Sequence, residues 1–289
     1  MRICSYNVKN LFLCGEGPAK PTKEMRPLRR MIAQVDADVL LLQEVGSAAS
    51  LDCLNAELST PYRYAGCLPG NSNRSIHLAV LSRTPVTLTS HAGTDLTTAD
   101  GVLMHQDAYH DLSQDRPHTS PTAPRLRLQR DLLRVQTHMA DGTPMALFGV
   151  HLKSRTSAIP KAHTAALAQT LSADDIRAAE ARAVQRLVQQ YMQQRPGELV
   201  LLAGDFNDLA GSPALAPLDV LPLSDPQGER LAAAGRHPAT YWPKRRMRFD
   251  RILLCAAARA RLVTDSPTIH NSQMARTASD HYPVSLALD

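Results

Sequence analysis

"LVLLAGDFNDLAG", residues 199–211, decides how the rest of the chain is read. Four apolar residues, Leu199 to Leu202, run straight into Gly204, Asp205, Phe206, Asn207 and Asp208. A short apolar run ending at a glycine and polar residues reads as a buried strand. Its end delivers two carboxylates and an amide to one place. Adjacent acids repel unless a cation compensates. The segment is therefore either a polar turn, for which Asn, Asp and Gly are common residues, or part of a site that handles charge.

Outward from this stretch the same design recurs. "ADVLLLQEV" echoes "ELVLLAGDFN": each has a helix, a short gap, a buried strand and then an acid, which hints at related halves. Strand-like runs "RICSY" (2–6), "VLLLQ" (39–43), "HLAVLSR" (77–83), "MALFGV" (145–150), "RFDRILL" (248–254) and "VSLAL" (284–288) alternate with helical spacing. Leu28, Met31, Ile32 and Val35 form one stripe, Leu51, Leu54 and Leu58 another, and Val184, Leu187, Val188, Tyr191 and Met192 a third that stops before Pro196-Gly197. This alternation predicts an α/β or α+β layered domain. Residues 125–139 read as strand, with Asp141-Gly142 as the hairpin turn into the next one. Residues 91–124 show no sustained period and read as a long irregular insertion, a candidate lid; residues 154–175 read as a second loop region. No linker rich in Gly, Ser or Pro divides the chain, so residues 1–289 are expected to form a single domain.

Composition sets the class. A hydrophobic share of 44% supports a sizeable core, and 20% charged residues fit a water-soluble globular chain. No apolar run approaches the roughly 18 residues of a membrane span. After Arg2 the segment "ICSYNV" is too short and too polar for a secretory leader, so a cytoplasmic protein is expected, or a secreted one if a leader has been removed. Five cysteines without a C-x-x-C pair read as reduced thiols, not as a disulfide frame or zinc site. The net charge of +5 favours an anionic partner.

The chemistry falls at strand ends. Asn7 follows "RICSY", Glu44 follows "VLLLQ", His151 follows "MALFGV", and Asp205 and Asn207 follow "LVLLA". Asp280 and His281 precede the last strand, and Asp250 adjoins "RILL". Strand ends on one edge of packed sheets can converge on a single cleft. Asn7, Glu44 and Asp280 offer hard oxygen ligands suited to Mg²⁺ or Mn²⁺, and no Cys/His cluster offers zinc chemistry. Two histidines and an Asp-x-Asn pair remain to handle water and a phosphoryl oxygen, as hydrolysis of a phosphate ester requires. No Walker-type phosphate loop occurs. A carboxylate beside a histidine fixes its tautomer and raises its pKa; Asp250 has Arg248 and Arg251 as neighbouring salt-bridge partners.

"YNVKNLF", "LLLQEV", "VHLKSR", "LLAGDFND", "RFDRILL" and "SDHYPV", in this order, resemble the endonuclease/exonuclease/phosphatase superfamily of DNase I-like enzymes. The resemblance implies a four-layer α/β (α+β) sandwich, two mixed β-sheets packed face to face with helices outside. It implies Glu44 as principal Mg²⁺ ligand with Asn7 and Asp280 nearby. Asp205 would orient or deprotonate the attacking water, with Asn207 holding the phosphate and the nucleophile. His281, paired with Asp250, would contact the scissile phosphate, and His151 would serve the transition state or leaving group. Lys9 stands where abasic-site enzymes of the group tend to carry an acid, which weighs against that specialisation. The "HLKS" form is similar to a bacterial branch in which Lys153 and Arg74 are candidate phosphate contacts.

For the substrate, Arg125 and Arg127 share one strand face, and "KRRMR" (244–248) follows Tyr241 and Trp242. Aromatics beside cations suit single-stranded nucleic acid. The expectation is a monomeric, Mg²⁺-dependent phosphodiesterase, a nuclease acting on DNA or RNA. The alternatives are a phosphomonoesterase acting on a small phosphorylated molecule such as an inositol or sugar phosphate, or on a lipid head group, and a non-catalytic binding module on the same fold.

Overall fold

The structure, a computed structural model, describes residues 1–104, 125–155, 172–236, 239–243 and 247–289. Twelve strands form two six-stranded mixed sheets among these residues. The first has the order β11-β12-β1-β2-β4-β3, from β1 (Arg2–Leu11), β2 (Val39–Val45), β3 (Tyr64–Leu68), β4 (His77–Ser82), β11 (Thr268–Ile269) and β12 (Val284–Ala287). The second has the order β5-β6-β7-β8-β10-β9, from β5 (Thr87–Ser90), β6 (Leu132–His138), β7 (Pro144–His151), β8 (Leu199–Asp205), β9 (Leu223–Ser224) and β10 (Asp250–Cys255).

The sequence echo is a structural repeat. Strands β1 and β2 are parallel and joined through helix α1 (Thr22–Val35); β7 and β8 are parallel and joined through helix α3 (Ala173–Gln194). Parallel neighbours need such a crossover. In each sheet the parallel pair lies between antiparallel strands, β12 and β4 in one, β6 and β10 in the other.

Strand alternation divides the core into layers. Ile3, Val39, Leu41, Leu78 and Val80 face the second sheet and share a cluster with Leu147, Leu201, Ile252 and Leu254. Their neighbours Cys4, Tyr6, Leu40, Leu42 and Leu81 face outward onto Met25, Leu28, Met31 and Ile32 of α1, Leu51 and Leu54 of α2 (Ala48–Ala56), and Ala275 and Ala278 of a C-terminal helix. On the second sheet Phe148 meets Tyr191 of α3 edge to face, with ring centroids 5.2 Å apart. Each fully buried Leu or Ile in these layers contributes about 2 kcal/mol. The layers are helix, sheet, sheet, helix. Gly149 of β7 brings the sheets close: a Cβ there would lie 2.7 Å from Leu41 Cδ1 of β2.

Three readings need adjustment. Residues 125–131 are not strand: β6 begins at Leu132, and Arg127 only bridges Asp95. Leu126 and Leu128 are buried while Arg125 and Arg127 are exposed, so the expected alternation holds, but both arginines are spent on Asp95 at 2.9 and 3.1 Å. Of the irregular insertion, residues 91–104 are pinned to this segment, with Leu96 and Met104 in the core; 105–124, and with them the candidate lid, lie outside the described residues. So do residues 156–171 of the second loop region and 244–246 of the basic cluster. Strand β1 also runs on to Leu11 through a bulge at Lys9 and Asn10, whose φ angles are +51° and +48°. Among the described residues no helix is long and apolar enough to cross a membrane.

Candidate active site

The opening segment resolves into separate tasks. Asp205 closes β8 in register with His151 of β7 on one side and Asp250 of β10 on the other. Residues in register share a sheet face, and this row lies on the face that turns Leu147 and Leu201 toward the first sheet. Three site residues thus stand side by side at one edge. Gly204, with φ +143°, allows the chain to pass Val150, whose carbonyl oxygen would lie 2.0 Å from any Cβ. Phe206 is buried under the Arg251 guanidinium, 4.6 Å from its ring centroid. Asn207, at φ +52°, turns back: its N–H donates to Asp205 Oδ1 (2.9 Å) and its Nδ2 to Leu152 O (2.9 Å). Asp208 points away and accepts from Arg177 Nε (3.0 Å) and Nη2 (2.7 Å). The adjacent acids are reconciled because Asp208 has its own cation.

The first sheet supplies the facing half. Asn7 on β1 donates from Nδ2 to Asp205 Oδ2 (3.1 Å) and to Glu44 Oε1 (3.5 Å). By alternation Glu44 would follow Leu40 and Leu42 outward. A left-handed backbone, φ +65°, re-aims it, and its Oε2 accepts from Asn10 N at 3.0 Å. The loop before β12 is tied in by Ser279 Oγ, which donates to Asn7 O (2.7 Å) and lies 3.4 Å from Asp280 Oδ1.

His281 links the halves. Its Nδ1 is 2.8 Å from Asp250 Oδ2 and its Nε2 is 3.7 Å from Asp205 Oδ2. Burial opposes a charged ring, but Asp250 and Asp205 outweigh it and push the pKa up to about 10, which favours the charged ring. His151 Nε2 lies 3.7 Å from Asp205 and 3.9 Å from Glu44. Burial, with Arg130 and His281 adding, holds it well below the ordinary imidazole range, so it is neutral. Burial pushes Asp205 up to about 6; Asp250 adds to the rise, while His281, Asn207 and Asn7 pull it back. Asp250 keeps its place through Thr240 Oγ1, which accepts from the N–H groups of Phe249 and Asp250, both at 2.9 Å. The alternative partners are engaged elsewhere: Arg248 with Asp225 and Arg251 with Asp208 O. Tyr241 stacks on Phe249 and stands 5.0 Å from the His281 ring. Trp242 is 38% exposed, but its Nε1 donates to Ser279 O at 2.8 Å, which fixes the ring beside Asp280 and His281.

The cations lie behind and at the mouth. Arg74 is exposed and donates to Asn10 Oδ1 at 2.9 Å. Lys153 is buried rather than a solvated surface lysine. Two residues of α3 that carry no motif grip the segment between them. Glu180 accepts from the N–H groups of Lys153 (2.6 Å) and Gln129 (3.2 Å); Arg177 donates to Lys153 O (3.0 Å) as well as to Asp208. Arg130, also buried, donates to Leu152 O at 2.7 Å, the carbonyl that receives Asn207. Sequence reading missed all three. The signal was present for Arg177 and Glu180, charged residues on the apolar stripe of α3 that continues through Val184 and Tyr191.

The donor set around this edge is oxygen from Glu44, Asp280, Asp205, Asp250 and the two asparagine amides. It suits a hard divalent cation. One atom each of Asp205, Asp250 and His281 lie within 4.8 Å of one another. His281 already stands between two of these carboxylates, with Nδ1 2.8 Å from Asp250 and Nε2 3.7 Å from Asp205.

The chain matches the profile of the "Endonuclease/Exonuclease/phosphatase family" over residues 4–281. Similar solved structures include truncated Caenorhabditis elegans TDP2, at 17% identity over 99% of this chain and 96% of that one, TM-score 0.58. The human Nocturnin catalytic domain with bound sulfate anion is 15% identical over 100% and 94%, TM-score 0.61. D. rerio TDP2 complexed with single strand DNA product is 19% identical over 100% and 98%, TM-score 0.58. At these identities the likeness is one of fold. No curated protein sequence matches the chain. With nearly its whole length matched, from Cys4 to His281, the chain belongs to the endonuclease/exonuclease/phosphatase family.

Proposed function

We propose that this chain is a divalent-metal-dependent phosphodiesterase, a nuclease that cleaves by attack of an activated water. The observation that carries the reading is the row His151, Asp205, Asp250 across β7, β8 and β10, set against Asn7 and Glu44 of the other sheet and bridged by His281. Glu44, Asn7 and Asp280 would hold Mg²⁺ or Mn²⁺, which when bound supplies positive charge for a non-bridging phosphoryl oxygen.

The remaining roles belong to the chain itself. Asp205 accepts a proton from water at Oδ2; a carboxylate whose pKa burial lifts to about 6 is a better base than a solvated one. Asn207 and Asn7 keep that carboxylate aimed. His281, held charged by Asp250, faces the phosphate with Nε2, and neutral His151 donates to an oxygen that gains charge. Arg74 at the mouth and Lys153 behind it add positive potential. The rigid, half-exposed Trp242 offers a face on which a base can stack next to the scissile phosphate, which supports nucleic acid as the substrate. The same single domain, residues 1–289, contributes every group, so a monomer suffices.

The test compares bis(p-nitrophenyl) phosphate with p-nitrophenyl phosphate under Mg²⁺, Mn²⁺ and EDTA, followed by single-stranded and plasmid DNA and RNA. The expected result is metal-dependent cleavage of the diester and of nucleic acid, lost in EDTA and reduced about 1,000-fold by His281→Ala. Turnover of the monoester alone would overturn the reading in favour of a phosphatase.

A further inference from the structure

Cys14 and Cys53 lie 39 positions apart in sequence, yet their sulfurs are 3.6 Å apart. Both side chains are exposed, whereas Cys4 and Cys255 are buried and Cys67 is partly covered. Cys53 sits on α2. Cys14 sits in the loop between β1 and α1, next to Gly15 at φ +92°, around which there is open space. A disulfide needs the sulfurs about 2.05 Å apart, so only about 1.5 Å remains to be closed, and the glycine gives the loop side freedom to close it.

We propose that Cys14 and Cys53 form a modification site, a reversible disulfide made by exchange with a small-molecule disulfide. The thiolate of one cysteine attacks the reagent and releases one small thiol, leaving a mixed disulfide. The second cysteine attacks the sulfur already bound to the protein and expels the second small thiol. Two electrons pass from the cysteine pair to the reagent, and the two protons end on the released thiols. Selectivity follows from access: burial shields Cys4 and Cys255, and Cys67 is partly covered.

The bond would reinforce the native arrangement, because its two segments are already joined. Leu13 N donates to Ser50 Oγ at 2.8 Å, and Glu16 accepts from Ser47 and from Ser50 (2.7 Å) at the start of α2. The enclosed stretch carries α1, β2 and Glu44. Closing a loop of this length restricts the unfolded chain and should raise the Tm of a protein this size by about 5 °C.

The experiment treats the full chain with oxidised glutathione, maps non-reduced peptides by mass and records thermal melts. The expected product is one Cys14–Cys53 linked peptide, two hydrogens lighter than the free pair, with a raised Tm that dithiothreitol reverses. Cys14→Ser and Cys53→Ser should each abolish the shift and keep basal activity. Stable glutathione adducts at both cysteines, linkage through any other cysteine, or a linked product with an unmoved Tm would each overturn the proposal.

Discussion

Glu180→Gln is the sharpest test of how the site is held. The substitution keeps size and shape but replaces one carboxylate oxygen by an NH₂ group. In the native chain both oxygens accept backbone N–H groups, from Lys153 at 2.6 Å and from Gln129 at 3.2 Å. Glutamine can satisfy only one; the other N–H then faces a donor inside the protein. A hydrogen bond to a buried charge is worth about 1.5–3 kcal/mol, and stranding its partner costs a similar amount. Arg130 and Lys153 also lose the negative charge that helps to hold them in the interior. Allowing for relaxation, the loss of stability should be about 3 kcal/mol. An unfolding entropy of roughly 2 cal/mol/K per residue converts this, over 289 residues, to about 5 °C in Tm. The functional effect should be larger than that figure suggests, because Leu152 O receives both Asn207 Nδ2 and Arg130, so a shift at 152–153 displaces the Asn207 amide. Urea titration with an unchanged slope, beside steady-state kinetics on a diester, reads both quantities. The expected pattern is a kcat lowered about tenfold or more with little change in KM. Stability within about 0.5 kcal/mol of wild type together with an unchanged kcat would refute the reasoning.

Three further outcomes follow from the geometry. Gly204→Ala places a methyl carbon 2.0 Å from Val150 O at a φ of +143°; it should destabilise by more than about 3 kcal/mol, visible as a lowered urea midpoint or loss of soluble protein. Burial, with Arg2 adding, lowers the pKa of His270 from 6.5 to about 4, so it folds neutral. Its contribution is fully present above pH 6.5 and is lost as pH falls through about 4, a change of up to about 3 kcal/mol that His270→Asn should flatten in pH-dependent melts. Single-stranded DNA binding measured in EDTA should weaken roughly tenfold between about 50 and about 200 mM salt through counterion release; an affinity that ignores salt would count against the nucleic-acid reading.

Much of this was legible in the sequence because strands obey a short rule. Buried runs ending in polar residues pointed to Asn7, Glu44, His151 and Asp205, with Asp250 at the start of another, and the echo between two helix–strand units became the β1-α1-β2 and β7-α3-β8 repeat. What could not be read depends on partners distant in the chain. Alternation alone sends Glu44 to the wrong face, and its own left-handed backbone, with Asn10 N in the β1 bulge to hold the carboxylate, explains its return. Thr240 reads as an ordinary turn residue until Phe249 and Asp250 fold over its hydroxyl. Arg130 lies in a stretch whose arginines look equivalent, yet Arg125 and Arg127 stay outside on Asp95 while Arg130 goes inside to Leu152 O. Periodicity identifies which residues face inward; it does not say which of them will find a counter-charge there.

The contact of Gly149 with Leu41 has a consequence of its own. Gly149 lies two residues before His151, and Leu41 three before Glu44, so the thickness of one aliphatic side chain sets the gap between the jaws that carry them. A methyl at 149 would act as a wedge, driving the jaws apart at their root and widening the slot at its mouth. The reach between the two halves is therefore tunable by volume alone, with every polar group left in place, and a trimmed residue 41 is the natural counterweight to an enlarged residue 149.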